Sequence, residues 1–133
     1  MATTTRTVTQ VCESAQAASR QLARASTEAK NATLRRIAEL LRERTDQVLA
    51  ANAADLEDER AANLTNALRD RLTLTPERVE AMAAGVEEVM RLPDPVGEEI
   101  DSATLRSGIE KRKVRVPLGV VAVIYEARPN VTA

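Results

Sequence analysis

The sequence predicts an α/β fold in which helices come first, hairpin-like strands follow, and the chain ends in the first strand of a larger sheet. Three observations predict it. Up to about residue 92, apolar side chains recur at spacings of three and four, which is typical of amphipathic helices. Beyond Pro93 and Pro95 they alternate, as they do in strands. An apolar, β-branched run within 116–125 then ends in a polar segment, as buried parallel strands do before a ligand-binding loop.

The first half of the chain predicts two long helices. One is expected from about Val8 to Arg24, because its apolar residues form one stripe. Polar residues at 26–28 offer a new N-cap, and a second helix is predicted from there to about Ala51, with a solvated face of paired charges. Asn52 is predicted to interrupt this helix.

Three shorter helices are predicted before Pro93. An acidic one over about 55–59 is expected to close at Asn63 in the left-handed conformation, which Asn tolerates better than most residues. Thr65 is expected to cap a second, which ends near Leu72. Thr75-Pro76-Glu77 predicts the start of a third, because it combines an N-cap, a first-turn proline and an acid at the positive end of the helix dipole.

Residues 98–116 predict two strands that pair as a hairpin around Ser107-Gly108. The second strand is strongly basic. Segment 106–116 carries five basic residues and one acidic residue, a net charge of +4, at Arg106, Glu110, Lys111, Arg112, Lys113 and Arg115. This pattern fits a site for a phosphate-bearing ligand or an acidic partner. It fits equally an exposed edge strand that charge protects from aggregation.

The composition excludes several classes of protein. The chain has 133 residues with one Tyr and no Phe or Trp, so its core is expected to be thin. A net charge of −1 argues against a nucleic-acid partner. With one Cys and no His, no disulfide and no metal site are expected. Neither a signal peptide nor a membrane span is evident, which predicts a soluble, cytoplasmic protein.

Cys12 is the one candidate nucleophile that the residue types suggest. It falls on the apolar side of the first predicted helix, and the sequence contains no His to act as its base. We therefore expect Cys12 to be a small buried apolar residue rather than a reactive thiol.

Glu126, Arg128 and Asn130 are the candidate functional residues at the end of the apolar run. Their alternation predicts one side of an extended segment, which Pro129 favours at the residue before it. Arg offers a fixed fork for carboxylate or phosphate, and a neutral Asn amide suits the stabilisation of an oxyanion. The alternative is an ordinary Arg-Pro-Asn turn.

The segment from Arg115 to Thr132, RVPLGVVAVIYEARPNVT, resembles the signature of the gamma-glutamyl phosphate reductase (glutamate-5-semialdehyde dehydrogenase) family of the aldehyde dehydrogenase superfamily. Residues 50–56, 70–78 and 92–97 agree with the same family. The resemblance implies that 1–133 is the N-terminal part of an NADP-binding domain, with 98–117 an oligomerisation-strand excursion. The catalytic domain, with the family's nucleophilic Cys, would lie outside this fragment, and Cys12 does not match its motif.

The resemblance also implies an activity: NADPH-dependent reduction of L-glutamyl 5-phosphate to L-glutamate 5-semialdehyde with phosphate release, in proline biosynthesis. Asn130 resembles the oxyanion-stabilising asparagine, and Ile124 and Tyr125 fall where relatives contact the cofactor. Arg128 is a further candidate for an anionic substrate group. The full-length enzyme is expected to be a homo-oligomer, and this fragment is expected to be inactive.

Two alternative functions remain open at this point. One is a stand-alone helical protein-interaction module whose charged strand binds a partner. The other is a catalytically inactive regulatory pseudo-enzyme.

Overall fold

A computed structural model describes residues 6–133, apart from the side chain of Arg60. Contacts divide the chain into two compact units. The first, called here the hairpin unit, consists of the described residues 6–27 and 93–122. The second, called here the helical unit, consists of residues 28–92 and 123–133.

Five α-helices and one hairpin are found in the described part of the chain. The helices are α1 Val8–Leu22, α2 Thr27–Glu43, α3 Thr45–Glu57, α4 Asn66–Leu72 and α5 Pro76–Arg91. The strands are β1 Glu99–Thr104 and β2 Glu110–Val114. Short 3₁₀ turns occur at Glu59–Ala61 and Pro129–Val131. This order of helices followed by a hairpin confirms the predicted fold class. Between residues 6 and 133, no helix combines the length and apolarity needed to cross a membrane.

The core of the helical unit lies between α2 and α5 and is made of small side chains. Ala38 of α2 and Ala83 and Val86 of α5 are buried together, with Leu34 and Leu41 packed against them. Such residues let two helices approach closely but bury little apolar area each. The thin core expected from the composition is therefore found.

A three-residue charge network joins the same two helices. The Arg42 guanidinium donates to Glu80, with its Nη2 atom 2.7 Å from Oε1, and also pairs with Glu87. These hydrogen bonds raise the pKa of Arg42 and hold the pKa values of Glu80 and Glu87 below their usual range. All three groups therefore stay charged near neutral pH.

The second predicted helix is divided in two, so its predicted continuation to Ala51 is wrong. Arg44, with φ −112° and ψ 20°, separates α2 from α3. The Thr45 hydroxyl donates to the carbonyl oxygens of Leu41 and Arg42, both at 3.0 Å. A side chain that bonds to the preceding turn competes with the helical pattern, which explains the break here.

Asn52 does not interrupt a helix, which corrects a second prediction. It lies within α3 and is only 6% exposed. Its Nδ2 donates to the Leu72 carbonyl at 2.9 Å, and its Oδ1 accepts from the Leu74 amide at 2.7 Å. The side chain thus satisfies backbone groups at the end of α4, which otherwise lack partners. Tertiary hydrogen bonding outweighs the low helix propensity of Asn.

Two local predictions near α3 and α4 have different outcomes. The prediction that Asn63 adopts the left-handed conformation is wrong. In the described part of the chain, Ala127 is the one non-glycine residue with positive φ. The chain instead tightens through the Glu59–Ala61 turn, where the Ala61 amide donates to the Asp58 carbonyl at 2.8 Å. The Thr65 cap is confirmed, since its hydroxyl accepts from the Leu68 amide.

The start and end of α5 are as predicted. The Thr75 hydroxyl accepts from the Arg78 amide at 3.2 Å, and Pro76 occupies the first turn. A hydrogen bond from the Thr75 side chain lowers the pKa of Glu77. The helix ends at Arg91, before Pro93.

The predicted hairpin is confirmed in the hairpin unit. β1 and β2 are antiparallel, with Ser102 opposite Arg112 and Thr104 opposite Glu110. Gly108 has φ +83°, a conformation that favours glycine, and its amide donates to the Leu105 carbonyl at 2.9 Å to form the turn. Every residue of both strands is exposed.

The predicted burial of Cys12 is wrong. The thiol is exposed, and no residue of α1 is buried. The apolar stripe of α1 was predicted correctly as a pattern, but no described element packs on it closely enough to cover it.

The strand predicted over the apolar run within 116–125 pairs with no neighbour among residues 6–133. Its apolar side chains are exposed, most of all Leu118 and Ile124. A strand is defined by hydrogen bonds to a second strand, and the hairpin does not supply them here.

Candidate functional site

The helical unit contains a cleft of about 680 Å³. One wall is the face of α5 that carries Ala81, Met82, Gly85 and Val89. The end of α4 with the following loop and the segment 128–130 complete its lining. The cleft therefore has an apolar wall beside two polar segments, a combination typical of small-molecule sites.

The segment that carries Arg128 and Asn130 is a compact turn. Ala127 has φ +50°, and Arg128 precedes the Pro129–Val131 3₁₀ turn. The Val131 amide donates to the Arg128 carbonyl at 3.0 Å. The hydroxyls of Tyr125 and Thr132 hydrogen-bond to each other and tie the two ends of the segment together. The extended geometry predicted for 126–130 is therefore wrong, because this segment forms a turn.

The turn nevertheless brings two of the three candidate side chains to one place. Arg128 and Asn130 both line the cleft, whereas Glu126 does not. Both side chains are exposed, so their donor groups are accessible. Ile124 and Tyr125 lie outside the cleft lining, with exposed fractions of 99% and 44%.

Two arginines of the cleft were missed as candidates. Arg71 comes from the last turn of α4, and Arg78 comes from the first turns of α5. Both fall inside the 70–78 stretch quoted above for its family resemblance. Their repeated positive charge was the signal that could have identified them.

Arg78 is committed to the protein itself. Its guanidinium donates to the Thr73 carbonyl at 2.7 Å and to Oδ1 of Asp70 at 3.0 Å, and also to the Asp70 carbonyl. These bonds satisfy carbonyls at the end of α4 and hold the loop before α5. The side chains of Arg71 and Arg128 make no hydrogen bond or ion pair within the described residues. The charged side chains of the lining, three arginines and Asp70, sum to +2.

No protein-family model matches the chain. Individual proteins, however, do match the chain. This chain is 50% identical over 127 residues to the gamma-glutamyl phosphate reductase of Thermobifida fusca, and the match covers 96% of this chain and 30% of that protein. This chain is also 56% identical over 120 residues to the gamma-glutamyl phosphate reductase of Koribacter versatilis, and that match covers 90% of this chain and 29% of that protein. Over nearly its whole length, this chain is therefore similar to gamma-glutamyl phosphate reductases. It spans about 30% of the length of the relatives it matches.

Solved structures show the same similarity. The gamma-glutamyl phosphate reductase of Thermotoga maritima matches this chain with a TM-score of 0.84 at 42% identity, and the match covers 90% of this chain and 29% of the Thermotoga chain. The Saccharomyces cerevisiae gamma-glutamyl phosphate reductase matches with a TM-score of 0.86 at 30% identity, covering 96% and 33%. The helices and hairpin described above therefore represent the N-terminal region of the reductase fold.

Proposed function

We propose that this chain supplies part of an NADPH-dependent reductase that converts L-glutamyl 5-phosphate to L-glutamate 5-semialdehyde and phosphate in the cytoplasm, as a step of proline biosynthesis. The observation that carries the proposal is the 50–56% identity to proteins named gamma-glutamyl phosphate reductase. A positively charged cleft with a neutral amide at its edge supports it, because the substrate carries two anionic groups and a reacting carbonyl.

Asn130 is proposed to stabilise the oxyanion. Its side-chain amide is exposed to the cleft and donates hydrogen bonds without changing its charge. Negative charge develops on the carbonyl oxygen when a nucleophile adds to the acyl phosphate, and a fixed N–H donor lowers the energy of that state. The 3₁₀ turn at Pro129–Val131 holds the backbone of Asn130 in place for this role.

Ile124 and Tyr125 are proposed to contact the cofactor. They fit this role because an exposed aliphatic side chain and a half-exposed ring can pack against a planar nicotinamide. The Tyr125 hydroxyl is bonded to Thr132, so the ring has a fixed position. NADPH supplies the hydride when it is bound.

The nucleophilic thiolate is proposed to come from polypeptide beyond these residues. It adds to the acyl carbon, phosphate leaves with the bonding pair, and the resulting thioester accepts a hydride before the thiolate departs from the aldehyde. Cys12 is not among the residues that line the cleft. The 133 residues by themselves are therefore proposed to be inactive.

Residues 98–117 are proposed to form an oligomerisation excursion within an NADP-binding domain, which makes the full-length enzyme a homo-oligomer. The hairpin exposes apolar side chains on both strands and in its turn, at Ile100, Leu105, Ile109 and Val114. Exposed apolar residues on a strand pair are typical of surfaces that another chain covers.

Replacement of Asn130 by Ala tests the proposed function in the full-length protein that contains this segment. We expect kcat to fall by about 100-fold or more, because one oxyanion donor is lost. The assay follows NADPH absorbance, and the thermal midpoint should stay unchanged. Asn63→Ala, at an exposed turn outside the cleft, is the matched control. Unchanged turnover in Asn130→Ala would remove Asn130 from the mechanism, and a folded wild-type protein without turnover would favour the regulatory pseudo-enzyme.

A further inference from the structure

We infer that Arg71 and Arg128 together form an anion-binding site that holds one charged group of the substrate, a carboxylate or a phosphate. The naming of the substrate rests on the proposed function. The existence of the site rests on the geometry of the cleft.

The first step is that Arg71 and Arg128, which are far apart in the sequence, line the same cleft. Arg71 belongs to α4, and Arg128 directly precedes the Pro129–Val131 turn. Both line the cleft, together with Asn130. An anionic ligand in a cleft of this size can therefore meet both cations.

The second step is that the guanidinium groups of these two arginines have no internal partner in the described part of the chain. The carboxylate of the cleft lining, Asp70, is already paired with Arg78 at 3.0 Å. Arg78 is in turn occupied by backbone carbonyls. Its bonds fix the end of α4 from which Arg71 projects, so Arg78 acts as a positioning residue. Arg71 and Arg128 keep their full capacity to donate to an oxyanion, and Arg matches the planar geometry of carboxylate and phosphate oxygens.

The third step is that the wall of the cleft leaves room for an aliphatic chain. On α5, Ala81 has a small side chain and Gly85 has none, and a Cβ placed at Gly85 would meet nothing within 4 Å. A ligand with a short methylene chain and charged ends fits such a wall. Apolar contact with α5 and charge pairing with the two arginines would act on different parts of the same molecule.

The test uses the full-length protein in the direction of aldehyde oxidation, where phosphate and L-glutamate 5-semialdehyde are separate substrates. Arg71→Gln and Arg128→Gln should each raise KM by about 10- to 100-fold for the same one of these two substrates. Phosphate as the affected substrate identifies a phosphate site, and the semialdehyde identifies a carboxylate site. We expect kcat to change less than threefold in Arg71→Gln.

The control is Arg69→Gln, a change of the same kind on α4 at a residue outside the cleft lining, which should leave both KM values unchanged. Arg71→Lys should retain part of the affinity, because it keeps the charge but loses the fork. Unchanged KM values in Arg71→Gln, or different affected substrates for Arg71 and Arg128, would overturn the inference.

Calorimetric titration with inorganic phosphate and with L-glutamate separates this inference from the proposed function. Binding of either compound that is lost in both Arg71→Gln and Arg128→Gln, but kept in Arg69→Gln, supports the site even in a protein without turnover. Binding of equal strength in all variants would overturn the site even in an active reductase. Circular dichroism confirms that each variant is folded.

Discussion

The hairpin unit and the helical unit both contain regular patterns of apolar residues, but only the helical unit buries any of its side chains. All buried residues in the described part of the chain belong to the helical unit: Ala38, Asn52, Ala61, Val79, Ala83 and Val86. In the hairpin unit, α1, β1 and β2 form as predicted and yet bury no residue. The comparison teaches that periodicity specifies an element and the direction of its apolar face, whereas burial requires a second surface.

The largest expected difference between the units is in the loss of unfolding free energy when a helical valine is replaced by alanine. Val79 of α5 is fully buried, and Val11 of α1 is half exposed. Val79→Ala should lower the free energy of unfolding by about 2 kcal/mol, because it removes buried methyl groups and leaves a cavity. Val11→Ala should change it by less than about 0.5 kcal/mol. Urea unfolding followed by circular dichroism measures both, and equal losses would contradict the comparison.

Replacing a glycine by alanine should change the stability of the protein in opposite directions in the two units. Gly85 lies inside α5 with open space at its Cβ position, so Gly85→Ala should stabilise the protein by about 0.5–1 kcal/mol. Gly108 has φ +83° in the hairpin turn, so Gly108→Ala should cost about 1 kcal/mol through backbone strain. Thermal melting of the two variants against the parent decides this, and a shift of the same sign in both would refute it.

The smallest expected effect is the response of the α2–α5 charge network to acid. Arg42 lowers the pKa values of Glu80 and Glu87, so their contribution to stability is present above the unfolded value of about 4.5. This contribution is lost as the pH falls through the lower folded values. The advantage of the parent over Arg42→Gln should therefore shrink below about pH 4.5 in unfolding experiments. Arg35→Gln, on the same helix without such a pair, should show no such trend.

The site shows the same division between what can be predicted and what cannot. Arg128 and Asn130 were identifiable because a polar segment follows an apolar run, and the family resemblance added their context. Arg71 and Arg78 were not identified, since they are separated from Arg128 by about fifty residues of sequence. Their convergence depends on how α4, α5 and the last turn pack within the helical unit.

The sequence by itself determined α1, α4 and α5, the Thr65 and Thr75 caps, the hairpin turn at Gly108 and the family resemblance. These features depend on interactions between residues close together in the chain, or on a motif that is read directly. The tertiary structure alone decided the burial of Asn52, the exposure of Cys12 and the convergence of Arg71 and Arg128 on one cleft. Each of these depends on a partner group distant in sequence or on its absence, and such partners exist only after the elements have packed.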